Sequence, residues 1–99
     1  MGEERLLQTK ILGDLRGMNN GWATKIEKAS DNGVPDVFGT VVTCGPFLIE
    51  VKAPGKKPEP HQITIHATLR RCGCRTFSCD SWERWVEIKR ELGLLPPTT

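Results

Sequence analysis

Three charged residues of this chain have types and spacings suited to chemistry: Asp36, Glu50 and Lys52. Glu50 and Lys52 lie near the end of the apolar run Phe-Leu-Ile-Glu-Val-Lys-Ala at residues 47–53, which predicts a strand. Side chains two residues apart on a strand lie on one face, about 6.6 Å apart along it. A carboxylate and an ammonium so arranged form either a surface ion pair, the commoner case for this tripeptide, or part of a reactive site.

Asp36 precedes a second predicted strand, residues 37–42, and Thr-Cys-Gly-Pro at 43–46 favours a hairpin between the two strands. Pairing about a centre near residue 44.5 sets Asp36 opposite residue 53, whereas a bulge or wider turn brings it opposite Glu50. Two carboxylates facing one point suit Mg²⁺ or Mn²⁺, and the backbone carbonyl of Val51 can complete the protein ligands. The ammonium of Lys52 can then neutralise a phosphate oxygen and help to activate a water. This combination is suited to phosphodiester hydrolysis.

The elements that must position these residues follow from periodicity and end signals. The pattern predicts helices at 3–16, 60–71 and 81–92, and strands at 22–29, 37–42, 47–53 and 74–79. We expect Pro60 in the first turn of the second helix and Asp80 with Glu83 as a capping box for the third. The order α-β-β-β-α-β-α predicts one α/β domain over residues 1–99, with a small mixed sheet flanked by helices, a core at about 3–92 and a tail at 93–99.

Composition is that of an ordinary globular protein, with 37% hydrophobic and 26% charged residues. A net charge of +2 is too small to identify a nucleic-acid partner by itself. No apolar run approaches the roughly 20 residues of a membrane span, and the start lacks a signal-peptide core. The four cysteines match neither a zinc finger nor a disulfide framework, so we expect reduced thiols and an intracellular setting.

Gly33-Val34-Pro35-Asp36, the strand ending Ile49-Glu50-Val51-Lys52, a Gly/Lys/Pro-rich loop and Gln62 at the start of the next helix occur in this order. The set resembles the PD-(D/E)xK nuclease signature, and specifically the virus-type replication-repair nuclease (VRR-NUC) family. The resemblance covers roughly residues 3–80. It implies a restriction-endonuclease-like core that binds Mg²⁺ or Mn²⁺.

The same resemblance implies roles for individual residues. Asp36 and Glu50 would be metal ligands together with the carbonyl of Val51, and Lys52 would be the catalytic lysine. Gln62 would reach the active site from its helix. The family also uses an acidic residue on its first helix, for which Glu4 is our choice and Glu3 the alternative.

The implied activity is structure-specific cleavage of DNA. Compact stand-alone members of the family resemble Holliday-junction resolvases, so the resemblance implies branched DNA, a homodimer and a phage or bacterial cytoplasmic setting. A flap nuclease or other nuclease of this fold, and a non-catalytic DNA-binding module, remain the alternatives. The predicted phosphate contacts are Lys25, Lys56, Lys57 and Arg70, and the last helix is expected to carry spare apolar residues for a subunit contact. We assign His61 and His66 to the surface or to packing.

Overall fold

Within the part of the chain that the structure describes, three helices and four strands follow one another in the predicted order. The structure is a computed structural model and describes residues 2–27 and 29–96. The elements are α1 (Glu3–Arg16), β1 (Gly21–Lys25), β2 (Val37–Val41), β3 (Gly45–Val51), α2 (Pro60–Arg71), β4 (Arg75–Cys79) and α3 (Trp82–Glu91). The α/β fold class is therefore confirmed.

The four strands form one mixed sheet in the order β1-β2-β3-β4. β1, β2 and β3 pair antiparallel as a meander, and β4 pairs parallel to β3 after the crossover through α2. β3 is therefore a central strand, and β4 is an edge strand. The predicted small mixed sheet is confirmed.

The core lies on the face of the sheet that α1 and α3 cover. Phe47, Ile49 and Val51 alternate along β3 towards this face and are fully buried. The predicted stripe of α1 packs on them, and its buried residues are Leu7, Ile11, Leu12 and Leu15. Glu50, between Ile49 and Val51, must face the other side of the sheet. A side chain of α2 bonds to Glu50, so α2 covers part of that opposite face.

A partly buried polar contact joins α1 to α3. The carboxylate of Asp14 accepts hydrogen bonds from the indole N–H of Trp85 at 2.7 Å and from the ammonium of Lys89 at 2.9 Å. Lys89 also lies over the rings of Trp82 and Trp85, 5.4 and 5.6 Å from their centroids. Trp85 and Lys89 of α3 and the following Leu92 are buried, whereas Trp82 is 39% exposed.

The β2–β3 turn begins one residue earlier than predicted and is one residue shorter. It comprises residues 42–44, and Gly45 opens β3 with φ +81°, a conformation that glycine adopts at little cost. Pro46, expected in the turn, lies inside β3. β4 pairs with β3 only from Phe47 onward, so Pro46 lies in the stretch of β3 that has a single neighbouring strand.

This earlier turn corrects the register on which the site depends. Val37 pairs with Ile49, so the hairpin is centred on residue 43, and the predicted centre near 44.5 is wrong. Continuing the ladder by one step sets Asp36 opposite Glu50 rather than residue 53. Neither a bulge nor a wider turn is needed to bring the two carboxylates to the same level of the sheet.

Two further boundaries differ from prediction. β1 ends at Lys25, and of the predicted continuation to 29, Lys28 lies outside the described residues. The N-cap of α3 is Ser81, whose hydroxyl accepts the Arg84 N–H at 3.0 Å, while Asp80 instead accepts the Gly55 N–H at 3.2 Å.

Beyond α3, Leu94 packs against the core, and the final three residues of the predicted tail lie outside the described part. All four cysteines are free. Among the described residues, no helix has the length and apolar character to cross a membrane.

Candidate active site

Asp36 is held at the point where β2 begins and β3 ends. One of its carboxylate oxygens accepts the backbone N–H of Val51 at 3.0 Å. Its own carbonyl accepts the N–H of Ile26 at 2.8 Å, which extends the β1–β2 pairing by one bond. The aspartate is therefore fixed on both its backbone and its side chain, beside the last residue of β3.

The Gly-x-Pro segment before Asp36 packs against the start of α2. Gly33 has φ +91°, and a Cβ at this position would lie 2.9 Å from the carbonyl oxygen of His61. Only glycine combines this conformation with so close an approach. Pro35 is fully buried. The segment thus holds Asp36 between the first turn of α2 and the end of β3.

Glu50 and Lys52 lie together on the α2 side of the sheet, as their spacing predicts. The ammonium of Lys52 is 3.7 Å from one carboxylate oxygen of Glu50, and both side chains are largely shielded from solvent. Glu50 is only 6% exposed, so this is not the exposed surface ion pair considered for the tripeptide. The Lys52 backbone N–H donates to the Cys79 carbonyl at 2.8 Å and fixes this end of β3 to β4.

Gln62 connects Glu50 to the N-terminus of α2. Its side-chain oxygen accepts the backbone N–H of Glu59, the N-cap, at 2.8 Å, and the Glu59 side chain in turn accepts the backbone N–H of Gln62. This capping box turns the amide nitrogen of Gln62 towards Glu50, to which it donates at 3.0 Å. Glutamate could complete the box but could not donate to Glu50, so both bonds together require glutamine.

Gln8 on α1 plays the same part for Asp36, and the sequence analysis missed it. Its amide nitrogen donates to the second carboxylate oxygen of Asp36 at 3.1 Å. A signal was present, because Gln8 occupies a polar position in the helical stripe that continues as Ile11, Leu12 and Leu15. Each carboxylate of the site therefore receives one glutamine amide, from a different helix.

Glu4 lies one helical turn before Gln8 and acts electrostatically on both carboxyls of the site. Glu3 instead borders a separate cavity of about 260 Å³ with Leu6 and Lys10. Of the two acidic residues at the start of α1, the structure therefore turns Glu4 towards Asp36 and Glu50.

The nearby positive charge and hydrogen-bond donors do not fully offset the burial and mutual repulsion of the carboxylates in the site. Burial, together with the nearby charge of Asp36, raises the pKa of Glu50 from 4.5 to about 7, although Lys52 and Gln62 oppose the rise. Burial also raises the pKa of Asp36, against the lowering effect of the Val51 N–H and with a further contribution from the charge of Glu4. An added cation would stabilise both carboxylates in their ionised form.

The donor set fits a hard divalent cation that keeps water ligands. Asp36 and Glu50 supply carboxylate oxygens, and the Val51 carbonyl lies on the same edge of β3 as its N–H, which faces Asp36. Within residues 2–27 and 29–96, no group of three or more His, Cys, Asp and Glu side chains could hold a metal. Two carboxylates and a carbonyl leave positions for water, which suits Mg²⁺ or Mn²⁺ better than an all-protein cage.

His66 lies one turn after Gln62 and is 2% exposed, the most buried residue of α2. Burial, with the charges of Arg70 and Lys52, lowers its pKa. Its Nε2 atom is buried and has no hydrogen-bond partner among the described residues. The imidazole is thus a packed neutral group beside the site, whereas His61 is exposed.

Three of the four predicted phosphate contacts lie around one cavity. Lys56, Lys57 and Arg70 border a cavity of about 520 Å³, together with Arg84, which the sequence analysis did not single out. Lys25 is not among them and forms an ion pair with Glu27 at 3.4 Å.

Comparison with known proteins gives a relative but no matching family model. A protein of Acyrthosiphon pisum secondary endosymbiont phage 1, named "Putative nuclease p44", is 31% identical over 78 residues. The alignment covers 79% of this chain and 83% of the phage protein. At this identity and coverage the two proteins share their ancestry over most of their length. The chain therefore belongs to the same nuclease family as this phage protein.

Proposed function

We propose that this chain is a metal-dependent deoxyribonuclease of the VRR-NUC type, which hydrolyses DNA phosphodiester bonds. One observation carries the proposal: the register sets Asp36 level with Glu50, whose pKa the charge of Asp36 helps to raise, and Lys52 lies 3.7 Å from Glu50. The name of the phage relative supports nuclease chemistry in general. The VRR-NUC assignment and the metal dependence rest on the resemblance and on the donor set of the site.

Asp36, Glu50 and the Val51 carbonyl would hold Mg²⁺ or Mn²⁺, which when bound would polarise the phosphate and acidify a water. Lys52 places a cation beside the same carboxylates, where it can neutralise charge on a phosphate oxygen as that charge develops. Gln62 donates to one carboxylate oxygen of Glu50 and Gln8 to one of Asp36, and these two bonds restrain the orientation of both carboxylates. Glu4 adds negative charge at the rim of the site and so favours a cation there.

We further propose branched DNA, especially a four-way junction, as the substrate, and a homodimer as the active form. Cutting two symmetric strands needs two active sites, which a two-fold dimer supplies. On α3, Trp85, Ile88 and Leu92 are buried, whereas Trp82 is 39% exposed. Further exposed apolar side chains lie on other elements, among them Trp22 at 53% and Val42 at 70%. Light scattering at micromolar concentration tests the dimer, and a monomer would count against it.

The test is cleavage of labelled four-way junction, flap, single-stranded and linear duplex DNA, with Mg²⁺, with Mn²⁺ and with EDTA. Glu50→Gln and Lys52→Met are assayed beside the wild type, with exposed Glu27→Gln as a control for loss of a carboxylate. We expect metal-dependent cutting that both site variants lose and the control retains.

The substrate panel separates the alternatives. Symmetric cutting of the junction supports a resolvase, whereas cutting of flaps or plain duplex retains the nuclease and refutes the resolvase. Binding without cutting by the wild type would support a non-catalytic DNA-binding module. Cutting that survives in both site variants would refute the assignment of Glu50 and Lys52.

A further inference from the structure

The free edge of β4 carries a pair of arginines on its backbone. The Cys79 carbonyl faces β3, where it accepts the Lys52 N–H, so the carbonyls of Thr76 and Ser78 face outward. Arg70 donates to the Thr76 carbonyl through Nε at 3.0 Å and Nη2 at 2.9 Å. The Nε of Arg84 donates to the Ser78 carbonyl at 3.3 Å. Two guanidinium groups, one from α2 and one from α3, are thus fixed along the edge of the sheet.

The strand sets the spacing of these charges and their relation to the site. The two carbonyls that hold the arginines are two residues apart, which is about 6.6 Å along the strand. Ser78 is the register partner of Glu50, so the carbonyl that holds Arg84 is level with the active site. The carbonyl that holds Arg70 lies one repeat further from it. The Ser78 end of this edge is therefore the end nearer to the level of Glu50.

The loop after Lys52 adds two cations to the two arginines. Lys56 and Lys57 are exposed and border the same cavity as Arg70 and Arg84, with a volume of about 520 Å³. The loop is held in place because the Gly55 N–H donates to Asp80 at 3.2 Å and the Lys56 N–H donates to Ala53 at 3.0 Å. It connects the site at Lys52 to the cavity within a few residues.

Cations outnumber carboxylates around this cavity. Four basic side chains border it against two acidic ones, Asp80 and Glu91. Arg84 pairs with Glu87 at 3.3 Å and with Glu91 at 3.9 Å, both at the solvent-exposed surface. Arg70 donates through Nε and Nη2 to a neutral carbonyl, so its charge stays available to an anion.

We propose that Lys56, Lys57, Arg70 and Arg84 form a phosphate track, which binds the DNA backbone flanking the bond cut at the site. The proposal rests on the proposed deoxyribonuclease function and adds the path of the substrate outside the active site. The alternative is that the arginines only cover the edge strand, because such edges are commonly blocked against pairing with another chain. This alternative would explain Arg70 and Arg84. It would not explain two exposed lysines on a loop fastened over the same cavity.

The experiment measures DNA binding rather than cleavage. Fluorescence anisotropy of labelled four-way junction and linear duplex is followed in EDTA between about 25 and 200 mM KCl, a range over which phosphate contacts dominate the salt dependence. The test variant is Lys56→Gln with Lys57→Gln. The matched control is Arg5→Gln with Arg90→Gln, which removes the same charge at exposed positions on α1 and α3. Arg84→Gln is added, with its melting temperature measured because it also removes a backbone contact.

We expect the lysine pair to reduce the slope of log K against log salt by about 1 per lysine and to weaken binding several-fold. The control should change the slope far less. An unchanged slope, or an equal loss in the control, overturns the track.

The two proposals fail separately. If the wild type cuts no DNA but the lysine variant shows the reduced salt dependence of binding, the nuclease proposal is refuted and the phosphate track is supported. If DNA is cut but the lysine variant has the same salt dependence of binding as the wild type, the nuclease proposal is supported and the phosphate track is refuted.

Discussion

Removing the charge of Glu50 should stabilise the metal-free protein while abolishing cleavage. The folded structure raises the pKa of this carboxyl from 4.5 to about 7, first through burial and then through the charge of Asp36. Folded Glu50 therefore binds its proton more tightly than unfolded Glu50 does. Its ionisation costs nothing below pH 4.5, costs progressively more between about 4.5 and 7, and carries its full cost above that range.

The magnitude follows from the shift. A rise from 4.5 to about 7 corresponds to about 3 kcal/mol of unfolding free energy lost by pH 8. Glu50→Gln removes this cost, keeps an oxygen that can accept from Gln62 and gives up the contact with Lys52. We therefore expect the variant to be about 1–3 kcal/mol more stable at pH 8, with a melting temperature roughly 5–15 °C higher. The gain should nearly disappear at pH 4.5.

The assay is urea unfolding followed by tryptophan fluorescence in EDTA at pH 4.5, 6 and 8. Glu27→Gln, at an exposed position, is the control and should show no such pH-dependent gain. Adding Mg²⁺ at pH 8 should stabilise the wild type and leave the Gln variant nearly unchanged, because the cation binds the ionised carboxylates. A Gln variant that is less stable at pH 8, or one whose gain is the same at every pH, would refute this account.

Gln62→Glu should retain the capping box but face Glu50 with a second carboxylate. We expect loss of cleavage and a urea midpoint that decreases as the pH rises from about 5 to about 8. A midpoint that does not change with pH would contradict this. Asp14→Ala removes the carboxylate partner of Lys89, and because the pair is only partly buried we expect a loss of about 2 kcal/mol in urea unfolding, with cleavage unaffected at low temperature. His66→Leu replaces a buried imidazole whose Nε2 has no partner among the described residues, so stability should be kept or raised by about 1 kcal/mol. Because the folded pKa of His66 is lowered, the gain should grow as pH falls below 6.5, and a Leu variant less stable at pH 5 would show that a partner had been lost.

The elements of the fold were predictable where one physical signal dominated. The four-residue spacing of Leu7, Ile11 and Leu15 gave α1 its bounds, and Pro60 with Gly73 bracketed α2. The alternation along residues 47–53 correctly separated the core face from the face that bears Glu50 and Lys52. These signals are local, because each depends on residues within one or two turns of the chain.

The register of the hairpin was not predictable with the same accuracy. Glycine and proline both favour turns, so the pair Gly45-Pro46 placed the turn too late in the chain. The structure uses only Gly45 for its positive φ and leaves Pro46 in the strand, which is permitted because β4 does not reach that far. Whether a proline is tolerated here depends on how far β4 extends, and β4 lies about thirty residues further along the chain. No local sequence pattern reveals this.

The hydrogen-bond partners of the site were harder still to predict. Gln8 and Arg84 are residue types that are ordinary for an amphipathic helix. Their significance appears only when α1 brings Gln8 to Asp36 and α3 brings Arg84 to the edge of β4. A polar residue in an apolar stripe was a usable signal for Gln8, whereas Arg84 offered none.

α2 links the active site to the proposed track through polar contacts rather than through a packed apolar face. Gln62, His66 and Arg70 recur at four-residue spacing, so they form one row along the helix. The first donates to Glu50 in the site, the second is buried against the sheet, and the third donates to the Thr76 carbonyl at the edge. Because these bonds hold the helix on the sheet, a change at either end of the row should alter the orientation of the other. Mutations in the row therefore require binding and cleavage to be measured together.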